Sequence, residues 1–306
     1  MIISYMDEFA GFYSMLFFTA NHYMYCKKNN IYFKLDTDKW LYKSKNGWTD
    51  YFKPLSIPVT SSEFLGEAKS PLIQRYGHSD LLGNFFIHEY RHVLLNNIYL
   101  YNDVIKEKII ETKKKLNLEE IGSYDSIFIR RGDKLIYESD YYSTENYVLL
   151  LLEKNPNCKT IFLQTDDYNC FLEIEKYIIE KNLDIKVITL CHPYLKGMVI
   201  FEKEIHCIEH AYNSDKPNNE YFKSISEELK KTKPVCNMNS EEKFQHTLEL
   251  LIGIDIVLHS KYCILDNQSN VSRFISITHD NIKNVFDIRY PNENYDMNRT
   301  RSPAYN

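Results

Sequence analysis

An α/β fold on a parallel, doubly wound sheet is what this sequence predicts, and two observations predict it. From Ser126 the chain alternates short apolar runs with helical periodicity, in the order "SIFI", Thr144 to Lys154, "TIFLQ", Asp167 to Lys181 and "DIKVITL". A strand that returns to the same sheet through a helix pairs in parallel with its predecessor. Polar and charged residues then gather where the runs stop, and the carboxyl ends of the strands are the ligand-binding edge of such a sheet.

Taken in order, "MIISY" is a short strand, and Gly11 opens a mostly apolar helix that runs to about Cys26. "IYFKL", Ile31 to Leu35, alternates as a strand does. Trp40 to about Leu82 is irregular and punctuated by Pro54, Pro58 and Pro71. Asn84 to Lys115 has helical periodicity, in one piece or two, and ends in the solvated run "KEKIIETKKKLNLEE", which sets a domain boundary near Glu120. After the alternating strands and helices, His192 to Pro234 reads as an insertion of helices and loops. "NSEEKFQHTLELLIGIDIVLHS" has N-cap residues, acids in its first turn and apolar residues at helical spacing. "YCIL" is the last short strand, "DNQSNVSRFISI" a loop and helix, and the polar stretch from Asn281 reads as a tail. The expected organisation is residues 1–120, residues 121–285 and a polar tail of residues 286–306.

A chain of 306 residues, 44% hydrophobic and 26% charged, is globular and long enough for two domains with real cores. Its formal net charge of -5 does not favour a nucleic-acid or membrane-surface partner. Seven scattered cysteines without a CxxC pair argue against a zinc knuckle and a secreted disulfide framework. The apolar run Phe12 to Ala20 is too short to span a bilayer and lacks the basic flank and cleavage site of a signal peptide. The expectation is a cytoplasmic protein in a reducing compartment.

"SYDSIFIRRGDKLIYES" sets Arg130 and Arg131 at the end of a strand. A guanidinium fork matches phosphate oxygens and keeps its proton, and Gly132 lets the backbone turn close to a ligand. The stretch reads as a phosphate clamp without a Gly-rich P-loop, or as an ion-pair cluster at a strand end. "TIFLQTDDYNCF" places Thr165, Asp166 and Asp167 at the next strand end. "LDNQSNVSRF" places Ser269, Asn270, Ser272 and Arg273 at the last one. Three such ends on one edge point to a nucleotide-diphosphate pocket, although the acids and Ser269 also suit helix caps. Asp255 sits among Leu251, Ile252, Ile254, Ile256, Val257 and Leu258, where a carboxylate needs a ligand or another partner.

"IRRGDK", "TDD" and "SNVSR", in that order and at these separations, resemble the donor-binding motifs of the superfamily of α-1,6-, α-1,2- and protein O-fucosyltransferases. The nearest similarity is to its α-1,6 and bacterial nodulation branch, from about Ser126 to Phe274. The resemblance implies a GT-B fold of two facing Rossmann-like domains, a GDP-fucose donor, a glycan or glycoconjugate acceptor handled by the N-terminal domain, and no metal or cofactor. It matches Arg130 and Arg131 to the residues that hold the diphosphate, and Asp133 and Lys134 to the motif's following acid and lysine. It matches Glu138 to the catalytic base, Tyr147 to a donor-site tyrosine, Asp166 and Asp167 to the paired acids, Asp255 to the acid that recognises guanine and Ser269 to a serine near the phosphates. Asn270 and Ser272 would add donors to the phosphates or ribose. Phe128 stands where the family carries a histidine, which leaves another nucleotide sugar, such as a UDP-sugar, open as the donor. The missing membrane anchor departs from the family's Golgi members and fits a bacterial or viral enzyme.

The chemistry is coherent without the name. Fixed Arg and Lys donors, here Arg130, Arg131 and Lys134, stabilise a departing diphosphate in place of a metal ion, and a carboxylate such as Glu138 takes the proton of an acceptor hydroxyl. Two rivals come from other classes. "FFIHEYRHVLL" contains His88, Glu89 and His92 at the HExxH spacing of zinc metalloproteases, although no third ligand announces itself beyond the available Glu107 and Glu111. "FKLDTDKW" offers Asp36 and Asp38 as the DxD of metal-dependent glycosyltransferases. A nucleotide-binding pseudoenzyme on the same fold is the third alternative.

Overall fold

The computed structural model describes residues 2–6, 8, 10–57, 66–67, 87–132, 135, 140–202, 204 and 228–291. The described residues form two compact units. One comprises residues 2–108 and Asn239–Leu248, the other residues 109–238 and 249–291. The division thus falls between Lys108 and Ile109, where the sequence reading sets a boundary near Glu120.

In the first unit, β1 (Ile2–Tyr5) pairs in parallel with β2 (Phe33–Asp36) and β4 (Gly66–Glu67), and β3 (Ser56–Ile57) lies antiparallel on the outside of β2. The two-residue strands β3 and β4 arise in the stretch read as irregular, because pairs that short carry no alternation. Helix α1 (Phe12–Lys28) buries Phe12, Leu16, Phe17 and Ala20, with Phe12 packed against Trp40, Tyr42 and Phe52. The aromatic richness of the chain is therefore used as core. α1 also buries His22, whose Nδ1 lies 2.6 Å from the Ser4 hydroxyl. Burial holds this imidazole at about 4, below its ordinary 6.5. The unfolded chain then binds a proton at a pH where the folded chain does not. The stabilisation is complete above pH 6.5 and is lost as pH falls toward 4. At 1.36 kcal/mol per unit, about 2–3 kcal/mol should disappear between pH 7.5 and 4.5. Urea unfolding of the wild type and His22→Gln at both pH values checks this, and an equal pH slope in both would contradict it.

The run expected to be helical from Asn84 to Lys115 is interrupted. Its described part is α2 (Ile87–Val93), a π-helical turn at Leu94–Ile98, and α3 (Asp103–Leu116). The break holds Tyr101, which bridges to Phe52, and Asn102, whose side-chain oxygen accepts from the Ile105 N–H at 3.0 Å and so caps α3.

The second unit is a five-stranded, all-parallel sheet in the order β7-β6-β5-β8-β9. Its strands are β5 (Asp125–Ile129), β6 (Thr160–Thr165), β7 (Lys186–Thr189), β8 (Cys263–Leu265) and β9 (Val285–Asp287). The fifth strand lies in the stretch read as tail, where three residues between polar neighbours left no periodic signal. Helices α4 (Thr144–Lys154), α5 (Tyr168–Glu180) and α7 (Asn270–Thr278), with the part of α6 (Ser240–Leu258) from Glu249 on, complete the α/β pattern. One face buries Ile127, Ile129, Val148, Leu151, Ile161 and Ile174 in a single cluster. Each such side chain contributes about 1.5–3 kcal/mol on removal from water. Chain order runs outward from β5 to β7 on one side and from β8 to β9 on the other. The winding direction therefore reverses between β5 and β8, and that is where the carboxyl ends of a doubly wound sheet open a crevice. Among the described residues no helix is long and apolar enough to cross a membrane.

Candidate functional site

The arginine pair leaves β5 at this reversal. Asp166, one residue past β6, fixes both of its members. Its carboxylate accepts from the Arg130 Nη1, from the Arg131 backbone N–H at 2.7 Å and from the Met198 backbone N–H at 2.9 Å. Its carbonyl accepts from the Gly197 N–H at 2.8 Å. One aspartate thus staples the β5 end to the segment that follows β7. Gly132 (φ +64°) and Gly197 (φ +108°) make the close approach possible. A Cβ on Gly132 would meet the Met198 backbone at 2.7 Å, and one on Gly197 the Gly132 Cα at 2.8 Å.

Arg131 is buried, with its guanidinium 4.3 Å from the centre of the Tyr141 ring and its Nη2 donating to the Tyr142 carbonyl at 3.0 Å. It fastens residues 141–142 against the end of β5, while Arg130, held by Asp166, keeps 9% of its side chain exposed at the crevice. Asp133, Lys134 and Glu138 lie outside the described residues.

The other predicted residues divide between the two ends of the sheet. Asp167 is fully buried as the N-cap of α5, accepting from the Asn169 N–H at 2.9 Å. Ser269 and Ser272 are buried in a reciprocal capping box at the start of α7, with N–H to hydroxyl distances of 3.1 Å in both directions. Asn270 opens α7 and accepts from Arg273 Nη1 at 3.3 Å. These caps set the N-terminus of α7 after β8, the strand paired with β5, at the carboxyl edge, and a helix N-terminus favours anions. Tyr147 is buried in the core, and burial pushes its phenol well above the ordinary value. Phe128 is likewise buried within β5.

Asp255 does not join them. Tyr124, the residue before β5, donates its hydroxyl to the Ile256 carbonyl at 2.8 Å, so this end of α6 lies at the amino edge of the sheet. Earlier in α6, Glu249 lies 3.2 Å from His192, which follows β7 at the carboxyl edge. Six helical residues separate Glu249 from Asp255, about 9 Å. At the amino edge Asp255 pairs with Lys113 Nζ at 2.5 Å and with His259 Nδ1 at 3.4 Å. Its cost of burial is met by these partners.

The strand ends also bring together residues that the sequence reading passed over. Asp266 directly follows β8, while Asp287 ends β9 and Arg289 follows it. Arg289 binds Asp287 in a fork, Nε to Oδ1 at 3.0 Å and Nη2 to Oδ2 at 2.5 Å, and reaches Asp266 Oδ1 at 3.3 Å. Burial, opposed by Arg289 and reinforced by Asp287 and Asp140, pushes the Asp266 carboxyl up to about 7. The rule that found Arg130, a charge immediately after an apolar strand, applies equally to Asp266 after "YCIL".

The rival motifs look different in three dimensions. His88, Glu89 and His92 are exposed on α2, His92 Nδ1 takes the Asn96 amide at 3.1 Å, and among the described residues no group of three His, Cys, Asp or Glu side chains could hold a metal ion. Asp36 and Asp38 form a turn, with the Asp38 N–H donating to Asp36 Oδ1 at 3.0 Å and Lys43 paired to Asp38 at 3.0 Å.

No family model matches the chain, and no curated protein does. Solved structures do. The crystal structure of fucosyltransferase NodZ from Bradyrhizobium superposes with a TM-score of 0.54 at 11% identity, over 95% of this chain and 96% of that one. Its selenomethionine form gives 0.53 at 11% identity, over 90% of each chain. At such identity the likeness is one of fold: this chain has the α/β GT-B fold of a fucosyltransferase.

Proposed function

We propose that the chain is a glycosyltransferase that moves a sugar from a nucleotide diphosphate to a hydroxyl of a glycan or glycoconjugate in one inverting step. The observation that carries this reading is the pair Arg130 and Arg131, braced by Asp166 where the winding of the sheet reverses, on the fold of a fucosyltransferase. Arg130 holds the diphosphate, Arg131 organises the β5 end, and the α7 N-terminus adds positive dipole. Fixed cationic donors can stabilise the leaving group without a metal or cofactor. Fucose from GDP-fucose is the donor that the resemblance implies. A different nucleotide sugar is the second reading, favoured by the buried Phe128 and by Asp255 standing at the amino edge.

The first test is thermal stability with GDP, UDP, ADP or zinc, each with and without EDTA. A nucleotide at 100 times its dissociation constant adds about 2.7 kcal/mol. GDP or UDP should stabilise regardless of EDTA and so name the base. Stabilisation by zinc alone, abolished by EDTA, would move the reading to His88 and His92. Glu138 is the base that the resemblance implies, and Glu138→Gln tests it: if Glu138 takes the acceptor proton, the variant loses turnover with nucleotide affinity within about threefold. A variant that still turns over at the wild-type rate removes Glu138 from the mechanism.

A further inference from the structure

Asp266 occupies an unusual place. In register, Phe128 pairs with Leu265, so Asp266 lies beside Ile129, one residue before the arginine pair, on the neighbouring strand across the reversal of the sheet. Adjacent strands run about 4.8 Å apart. The charges of Asp266 and Arg131 both act on the buried Tyr147 phenol. Arg289 Nε pairs with Asp266 Oδ1 at 3.3 Å, without forming a hydrogen bond to it. Arg289 spends its fork on Asp287, and the buried Asp266 Oδ1 has no hydrogen bond among the described residues.

We propose that Asp266 exchanges the acceptor proton at this site, an inference that rests on the glycosyltransferase reading. Its carboxylate takes the hydroxyl proton as the acceptor oxygen bonds to the anomeric carbon. The bond from that carbon to the phosphate oxygen breaks, and its electron pair leaves with the nucleotide diphosphate toward Arg130. Among the described residues, the groups that act on Asp266 or that it acts on are Arg289 and Asp287 from the β9 end, Asp140 and Tyr142 from the segment before α4, Tyr147 from α4 and the Gln268 backbone N–H, which hydrogen-bonds its carboxylate. A carboxyl whose burial brings it to about 7 suits a base at neutral pH, since proton transfer is most effective when the base titrates near the working pH.

The experiment is the pH profile of kcat/KM for the wild type, Asp266→Asn, Asp266→Glu and Glu138→Gln, with melting temperature and nucleotide affinity measured on each. The wild type should lose activity on the acid side of about pH 7. Asp266→Asn should fall by about 100-fold or more and lose that limb, with nucleotide affinity within about threefold. Asp266→Glu should keep measurable activity and a limb. Asp266→Asn retaining both rate and limb would overturn the assignment and leave Glu138 as the base. If Asp266→Asn melts early, the glutamate variant decides, and a profile identical to wild type overturns the proposal. A wild type that transfers no sugar from GDP-, UDP- or ADP-linked donors sinks the transferase reading itself, before any variant is compared.

Discussion

Arg130→Ala is expected to lower kcat/KM for the nucleotide-sugar donor by about 10²–10³-fold, the cost of removing one preorganised donor from a developing anion. Arg130 is preset by Asp166, so its guanidinium meets the diphosphate without first being ordered. The substitution leaves the Arg131 and Met198 backbone N–H groups on Asp166, and the folded edge should persist. Arg130→Lys should rescue poorly, because an ammonium offers no planar fork to share between Asp166 and a phosphate. Steady-state kinetics with melting curves decide the matter. A loss below about threefold with an unchanged melting temperature would remove Arg130 from the donor site.

Asp255→Ala should do the opposite, costing stability and sparing the donor. Lys113 and Asp255 are 13% and 11% exposed, and removing one partner of a buried pair costs about 3–5 kcal/mol, because the other charge is left uncompensated. The pair joins α3 to α6, and His259, 3.3 Å from Lys113 Nζ, is the neighbour left to it, an imidazole without the opposite charge. Urea unfolding reads the first effect, and titration with the stabilising nucleotide reads the second. A tenfold loss of nucleotide affinity in a variant of wild-type stability would return Asp255 to the donor site.

The contrast between these two residues shows what was legible. β5 and β6 were plain in the sequence because apolar runs of four or five residues stop abruptly at charges, and the edge that carries Arg130, Asp166 and Ser269 followed from strand polarity alone. Which end of the sheet Asp255 reaches was not legible, because α6 is 19 residues long. Proximity in sequence to the last strand says nothing about which end of the sheet a helical residue reaches. Asp287 and Arg289 were lost with β9, whose three residues show no period. Asp166 and Asp167, adjacent and chemically alike, turned out to do different work, one bracing Arg130 and the other capping α5. Only the paths of their neighbours separate them.

Gly132 and Gly197 have a consequence for which substitutions this chain can accept. Loops ordinarily tolerate substitution far better than cores, and both glycines are in loops. Each nevertheless takes a left-handed backbone, which costs other residues about 1–2 kcal/mol, and each faces main chain that has no rotamer to yield. In a library of all single substitutions, these two loop positions should be depleted of every other residue as thoroughly as Ile127 or Leu163 in the core. Gly122 has the same left-handed φ but nothing within 4 Å of a Cβ, and should stay far more permissive.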